Sequence, residues 1–280
     1  LILTFFYGAF YAKYIAPNPI IGTSSWGFAV ASSSILSFFI FAYILIVAKN
    51  YFNFLNVKIF KNFFYLMILS SSSLFLFNEG SSSILPLVVV VISFISFEVV
   101  NLFYNLSLHK VAKKDNQGAV SNLGWGFGYL GGLLALLIIF LLISIYGNQE
   151  IPFLGISPFL LVGPFVGIWA AFFGHKHLNN FKNVRFEVPN LINFISEVKK
   201  KGLSKFLVSY FFYNNAVICI FAFASMFASF LFGLSESQIL FLGIFINLSG
   251  VIGCFLLGRI EDSFGSQKIL LLCILFLTLL

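Results

Sequence analysis

Apolar stretches of membrane-spanning length recur along the whole chain, parted only by short polar breaks, and this pattern restricts the fold more than any motif does. Nine such segments can be read, at residues 1–16, 24–48, 62–78, 84–108, 119–146, 153–174, 206–232, 237–258 and 268–280. About 20 apolar residues in a helix cross the hydrocarbon core of a bilayer. A strand crossing the same core leaves backbone groups unpaired unless it closes a barrel, and the alternation of barrel strands is absent. Of the 280 residues, 60% are hydrophobic and 9% charged, too few polar groups to cover a water-soluble domain. Lipid is therefore the expected solvent for most side chains, and the expected fold is an all-α multi-pass membrane bundle.

Basic residues set the orientation. The loops after the second, fourth, sixth and eighth segments hold 15 of the 16 Lys and Arg residues, and Lys13 alone falls on the other side. Positive loops stay in the cytosol, so the net charge of +7 reflects topology and not nucleic-acid binding. The opposite face carries Glu79, Glu150 and Glu236. The one long loop, residues 176–205, separates six segments from three. Within it Pro189 opens a stretch whose Leu191, Phe194, Ile195 and Val198 share one helical face ahead of Lys199, Lys200 and Lys201. Such a stretch fits a helix lying on the membrane surface, or equally a solvated linker. The first and last apolar runs are cut short, so the chain is expected to be a fragment, and no secretory leader is readable in it.

Glu98 is the most informative polar residue. It lies about ten residues from the cytosolic end of the fourth segment, roughly 15 Å deep and near the bilayer centre. An ionisable group at that depth is costly, and such groups face a protein interior or a watery cavity and serve ion or proton movement. Asn101 and Asn105 follow at i+3 and i+7, which places a carboxyl and two amides on one face. The alternative is an internal pair that merely locks helices together. The seventh segment offers Tyr210, Tyr213, Asn214 and Asn215, and the eighth Asn247. These amides suit a polar cavity or interhelical hydrogen bonding.

Other patterns carry less. Residues 124–132, GWGFGYLGG, contain a dinucleotide-type spacing at Gly126, Gly128 and Gly131, but the stretch opens a membrane helix and lacks the preceding strand that a dinucleotide site needs. Gly124, Gly128 and Gly132, spaced by four, are expected to let a neighbouring helix approach. Cys219, Cys254 and Cys273 fall in apolar runs without metal-like spacing, and His109, His175 and His177 belong to the basic cytosolic rim. No metal, no cofactor and no enzymatic constellation is expected. With 40 Phe in the chain, aromatic clusters arise by chance and are discounted.

The stretch Gly258-Arg259-Ile260-Glu261-Asp262-Ser263-Phe264-Gly265-Ser266-Gln267-Lys268 resembles the cytosolic signature loop of the major facilitator superfamily. In such a turn Gly265 eases the reversal, and Asp262 can accept hydrogen bonds near the next helix N-terminus and pair with Arg259. Trp26-Gly27, SFEVVNLFYN (96–105), SNLGWGFGYLGG (121–132) and YFFYNNA (210–216) narrow the likeness to the vacuole-effluxer-like family, the autophagy-related amino-acid effluxers and their bacterial branch. The resemblance implies a twelve-helix major facilitator bundle of which about nine helices are present. Residues 1–175 would form the six-helix N-terminal half, 176–205 the cytosolic linker and 206–280 the start of the C-terminal half. It also implies a secondary transporter of small solutes, with amino-acid efflux and proton coupling as expectations. Glu98, Asn101, Asn105, Tyr213, Asn214 and Asn215 would contact substrate or coupling ion, and Gly258, Arg259, Asp262 and Gly265 would form a gating loop. Its partners would be the bilayer, a small solute and protons, with no nucleic acid, in a monomer of the bacterial inner membrane. Two departures from the family stand out: residues 48–61 lack the Gly and Asp of a first signature loop, and Asn215-Ala216 replaces an acidic residue and Gly. They keep open a membrane scaffold that transports nothing. A channel is disfavoured by the absence of a filter loop.

Overall fold

The computed structural model describes residues 3–48, 54–78, 80–113, 116–146, 151–152, 158, 160–176, 178, 196–199 and 202–279. Its elements are helical. The first, α1, runs from Leu3 to Ile15, with wide π-type turns at Leu3–Tyr7 and Tyr11–Ile15 around a short α-helical Gly8–Phe10. It stops where Ala16 turns extended (ψ 153°), the conformation that the following Pro17 imposes. Then come α2 (Pro19–Ala48), α3 (Phe54–Ser73), α4 (Ile84–Val111), α5 (Gln117–Tyr146), α6 (Val162–Gly174), α7 (Ser204–Phe230), α8 (Glu236–Phe264) and α9 (Ser266–Leu279). Six of these, α2 to α5, α7 and α8, contain a stretch long and apolar enough to cross a membrane, while α6 and α9 are shorter apolar helices.

Three boundaries differ from the hydropathy reading, each for a local reason. α2 starts at Pro19 and not at residue 24, because proline suits the first helical position and the Asn18 side chain accepts the Ile21 N–H at 2.8 Å. α3 starts at Phe54 and not at residue 62. Lys58 and Lys61 do not interrupt it, since a long lysine stem can lie along the helix and keep its ammonium in water. α8 continues past residue 258 to Phe264, so the expected loop shrinks to Gly265 alone. Gly265 has φ +88°, a left-handed conformation that ends one helix, and its N–H bonds back to the Glu261 carbonyl at 2.8 Å before α9 resumes. Most of the surface-helix stretch, including Leu191, Phe194 and Ile195, lies outside the described residues, as does His177.

The chain divides into two compact units, Leu1–Phe103 with Asn148–Ser235, and Tyr104–Gly147 with Glu236–Leu280. In the first, α1 is the buried element: Phe5, Tyr11 and Ala12 are almost wholly enclosed, and Trp26 of α2, Leu74, Val90 of α4 and Met226 of α7 complete the cluster. Gly22 of α2 sits so close to α1 that a Cβ there would lie 2.6 Å from the Ala12 Cα. α6 meets α3 in the same way, since a Cβ on Gly163 would lie 2.5 Å from the Ser71 carbonyl oxygen and one on Gly167 would run into the Ser72 hydroxyl. In the second unit α5 packs lengthwise against α8. Less than a third of the residues in each spanning stretch are buried against protein, and large side chains such as Phe28, Phe172 and Leu231 face outward. That outward apolar surface is what a bilayer solvates.

Close approach at Gly22 gives a test of the first unit. Gly22→Val should lower the melting temperature of the purified protein in detergent, at a cost of about 1–3 kcal/mol for overpacking against backbone. Gly253→Ala, where no atom lies within 4 Å of the added carbon, should leave it unchanged or raise it by up to about 1 kcal/mol, the helix-propensity gain of alanine over glycine.

Candidate functional site

Glu98 stands close to the midpoint of the 28-residue α4. It is half-buried, and its neighbours Ser96 and Val99 on the same helix are fully buried. Asn101 is half-buried and Asn105 exposed, so the polar face read from the sequence emerges from cover toward the C-terminal end of α4. One and two turns the other way along the same face stand Phe94 and Val90, which belong to the α1 core. Phe94 meets the Trp26 indole edge-on, at 5.9 Å between ring centres and 83° between planes. Glu98 therefore stands one helical turn from the aromatic cluster of the first unit.

Trp26 is 0% exposed and is flanked by Tyr7 and Tyr11, each with its ring centre 6.5 Å away. The sequence reading passed over this cluster because a chain with 40 Phe makes aromatic patterns cheap. The better signal was rarity: the chain has only 3 Trp, and this one lies within an apolar run beside a glycine. On α7, Tyr213 and Asn214 are half-buried, while Asn215 is exposed and donates from Nδ2 to the Phe211 carbonyl of its own helix at 2.7 Å.

The second unit holds a polar clasp. Asp262, in the last turn of α8, accepts the Gly118 N–H on Oδ1 at 3.1 Å and the Ala119 N–H on Oδ2 at 2.9 Å. The next residue back, Glu261, accepts from Asn122 Nδ2 at 2.7 Å, and that nitrogen also donates to the Gly118 carbonyl at 3.0 Å. The partner of Asp262 is thus the start of α5, not the start of α9 as expected. The reason is the helix boundary: α8 carries on through Phe264, which turns the Asp262 side chain outward onto a neighbour. Two N–H groups that α5 cannot satisfy itself are met by a carboxylate, whose charge also suits the positive end of the helix dipole. Glycines make the contact possible. A Cβ on Gly118 would lie 2.5 Å from Asp262 Oδ1, and one on Gly258 would lie 2.7 Å from Asn122 Cβ. The Arg259 side chain lies outside the described residues.

From this clasp α5 and α8 run antiparallel, and each advance along one helix matches a retreat along the other. Gly126 faces Cys254 and Phe255, Tyr129 faces Gly250, Gly132 faces Asn247, and Phe140 faces Phe241. The three glycines picked out by their spacing have different surroundings: Gly132 lies on Asn247, Gly124 on the Tyr104 hydroxyl of α4, and Gly128 has no atom within 4 Å of an added Cβ. Asn247 is 1% exposed; its Nδ2 donates to the Gly243 carbonyl at 2.8 Å, and its Oδ1 has no donor. An unmet polar atom of this kind typically costs about 1–3 kcal/mol.

A family model described as "Vacuole effluxer Atg22 like" matches residues 30–280, which takes in the Glu98 face, the α7 amides and the clasp. The chain belongs to the vacuole effluxer Atg22-like family. It is also similar to the uncharacterised MFS-type transporter YxiO of Bacillus subtilis (strain 168), with 24% identity over 225 residues. That match covers 76% of this chain and 52% of YxiO, so the chain spans about half the length of this curated relative. No solved structure matches the chain. Membership of the Atg22-like family and the spanning helices together make it an integral, multi-pass, all-α membrane protein of the major facilitator type.

The clasp yields a measurable expectation for this Atg22-like chain. Asp262→Ala should speed hydrogen exchange at the Gly118 and Ala119 amides and destabilise the protein by about 0.5–2 kcal/mol, the usual effect of losing a capping side chain. Asp262→Asn, which keeps an acceptor and loses the charge, should fall between Ala and the parent.

Proposed function

We propose that the chain is part of a secondary transporter that moves a small solute by alternating access, with Glu98 as the group that couples transport to a proton or contacts the substrate. Asn101, Asn105, Tyr213, Asn214 and Asn215 line the cavity beside it. One observation carries this reading: a carboxyl held half-buried at the middle of a spanning helix, one turn from a buried aromatic cluster and on the same helix face as the Asn101 amide. A carboxyl at that depth is retained where something charged or polar has to pass.

Residues 1–175 form one half in this reading, 176–205 the cytosolic connection and 206–280 the beginning of the second half. The halves rock about a site near the midplane. The Asp262 clasp, with Gly258, Arg259 and Gly265 in the same stretch, latches the cytosolic side, and it suits that task because its hydrogen bonds are exposed enough for water to replace them. Efflux is favoured by the family's description as effluxers, and the solute proposed is an amino acid. The bacterial relative favours a bacterial cytoplasmic membrane as its location. The transporter works as a monomer and catalyses no covalent chemistry.

Full-length protein reconstituted in vesicles, screened with labelled amino acids with and without a pH gradient, tests the reading. Uptake should rise with the gradient, and Glu98→Gln should abolish the rise. Uptake indifferent to both the gradient and Glu98→Gln would remove the coupling role, and no uptake of any solute would leave a membrane scaffold.

A further inference from the structure

The first unit contains polar groups for which neither the clasp nor the Glu98 face has a use. Tyr7 and Trp26 are 2% and 0% exposed, and neither the Tyr7 hydroxyl nor the Trp26 Nε1–H has a hydrogen-bond partner. Ser225 of α7 is 0% exposed and its hydroxyl is likewise unmatched. An indole N–H can only donate, and both hydroxyls can donate as well. The neighbouring Tyr11 hydroxyl differs, since it donates to the Ser83 carbonyl at 3.0 Å. Burying donors without acceptors in an apolar cluster opposes folding, so their retention asks for a compensating partner.

Access to these groups has a definite geometry. A Cβ on Gly8 would lie 2.7 Å from Trp26 Cε2 and 3.0 Å from Met226 Cε, so the bare Gly8 backbone lets the indole and the thioether meet at one point of α1. Met226 also lines an open groove of about 320 Å³ between the start of α2 and the end of α7, together with Pro19, Thr23, Phe223, Phe227 and the exposed Leu231. A methionine side chain is unbranched and adaptable, so it can act as a movable floor between that groove and the buried indole. The cluster around Trp26, from Leu3 to Met226, has no charged member among its described residues, and its walls are rings. Such surroundings suit an oxygen acceptor on an apolar or aromatic body better than a bare ion.

We propose that Tyr7 and Trp26 form a binding site for a carbonyl or carboxyl oxygen of the transported solute, which enters past Met226. The assignment rests on the reading of the chain as a solute transporter and adds the two residues that set its specificity.

Equilibrium binding to the full-length protein in lipid nanodiscs tests the proposal, with labelled phenylalanine as probe and phenylalaninamide and phenethylamine as competitors. The first two carry the carbonyl oxygen and the third lacks it. Tyr7→Phe, which removes one hydroxyl and keeps the ring, should weaken binding of phenylalanine and its amide by about tenfold, the usual size for one hydrogen bond, and leave phenethylamine unchanged. The same variant without solute should melt at a higher temperature, because an unmatched buried hydroxyl is gone. Equal weakening of all three compounds, no weakening of any, a lower melting temperature of the solute-free variant, or failure of the parent protein to bind phenylalanine would each overturn the assignment. The vesicle screen with Glu98→Gln decides separately whether the chain transports, so a transporter that ignores Tyr7→Phe refutes the site and not the function.

Discussion

Hydrocarbon offers no hydrogen-bonding partner to a peptide group, and the rest of the structure depends on that fact. Each spanning stretch must satisfy its own backbone, which makes it a helix before any neighbour is considered. Once the helices exist, lipid solvates their apolar side chains about as well as another helix does, so burial alone does not bring them together. Close packing does. Close approaches fall at Gly22 against Ala12, at Gly163 against the Ser71 carbonyl and at Gly258 against Asn122, where an added carbon would force the neighbour to shift. In this chain glycine works less as a flexible residue than as the surface on which helices meet.

The contact between α5 and α8 shows how one packed seam can have ends of different character. At one end its polar groups are matched by the carboxylates of Glu261 and Asp262, in bonds that range from exposed to part-buried. Water can replace those bonds at modest cost, and salt weakens the charge–dipole part. Farther along, Asn247 sits fully enclosed on Gly132 with one oxygen unmatched, where water has no easy entry. A seam built this way separates most readily from its wet end. The shape of the contact therefore favours separation that starts at Asp262 and pivots nearer Asn247.

Much of the helical plan was legible because the signal is additive: twenty or so residues vote on whether a segment is apolar, and a few errors do not change the result. Boundaries were less legible because they hang on single residues. Asn18-Pro19 moved the start of α2 outward, and Gly265 reduced an expected loop to one position. Partners were hardest to read. Spacing by four puts Gly124, Gly128 and Gly132 on one side of a helix, yet it cannot say that one faces α8, another Tyr104 and the third no protein atom at all. Likewise the sequence marks Asp262 as a capping residue without saying which helix it caps, since Gly118 is 144 positions away. Glu98 was visible because charge is scarce in apolar runs, and Trp26 stood out beside Gly27, but the rings that gather around it were hidden in a background rich in phenylalanine.

The relation between Glu98 and the aromatic cluster follows from helix geometry more than from any one contact. Val90, Phe94 and Glu98 succeed one another by four, so the face that enters the core beside Trp26 is the face that presents the carboxyl one turn later. A displacement of α4 that repacks Phe94 against the indole must carry Glu98 with it, because the intervening backbone is a continuous hydrogen-bonded helix. Under the transport reading, a solute pressing on the rings and a proton or cation acting on the carboxyl would bias the same rigid element. Coupling between them then needs no relay of side chains, only two arrangements of α4 that differ in how Phe94 meets Trp26.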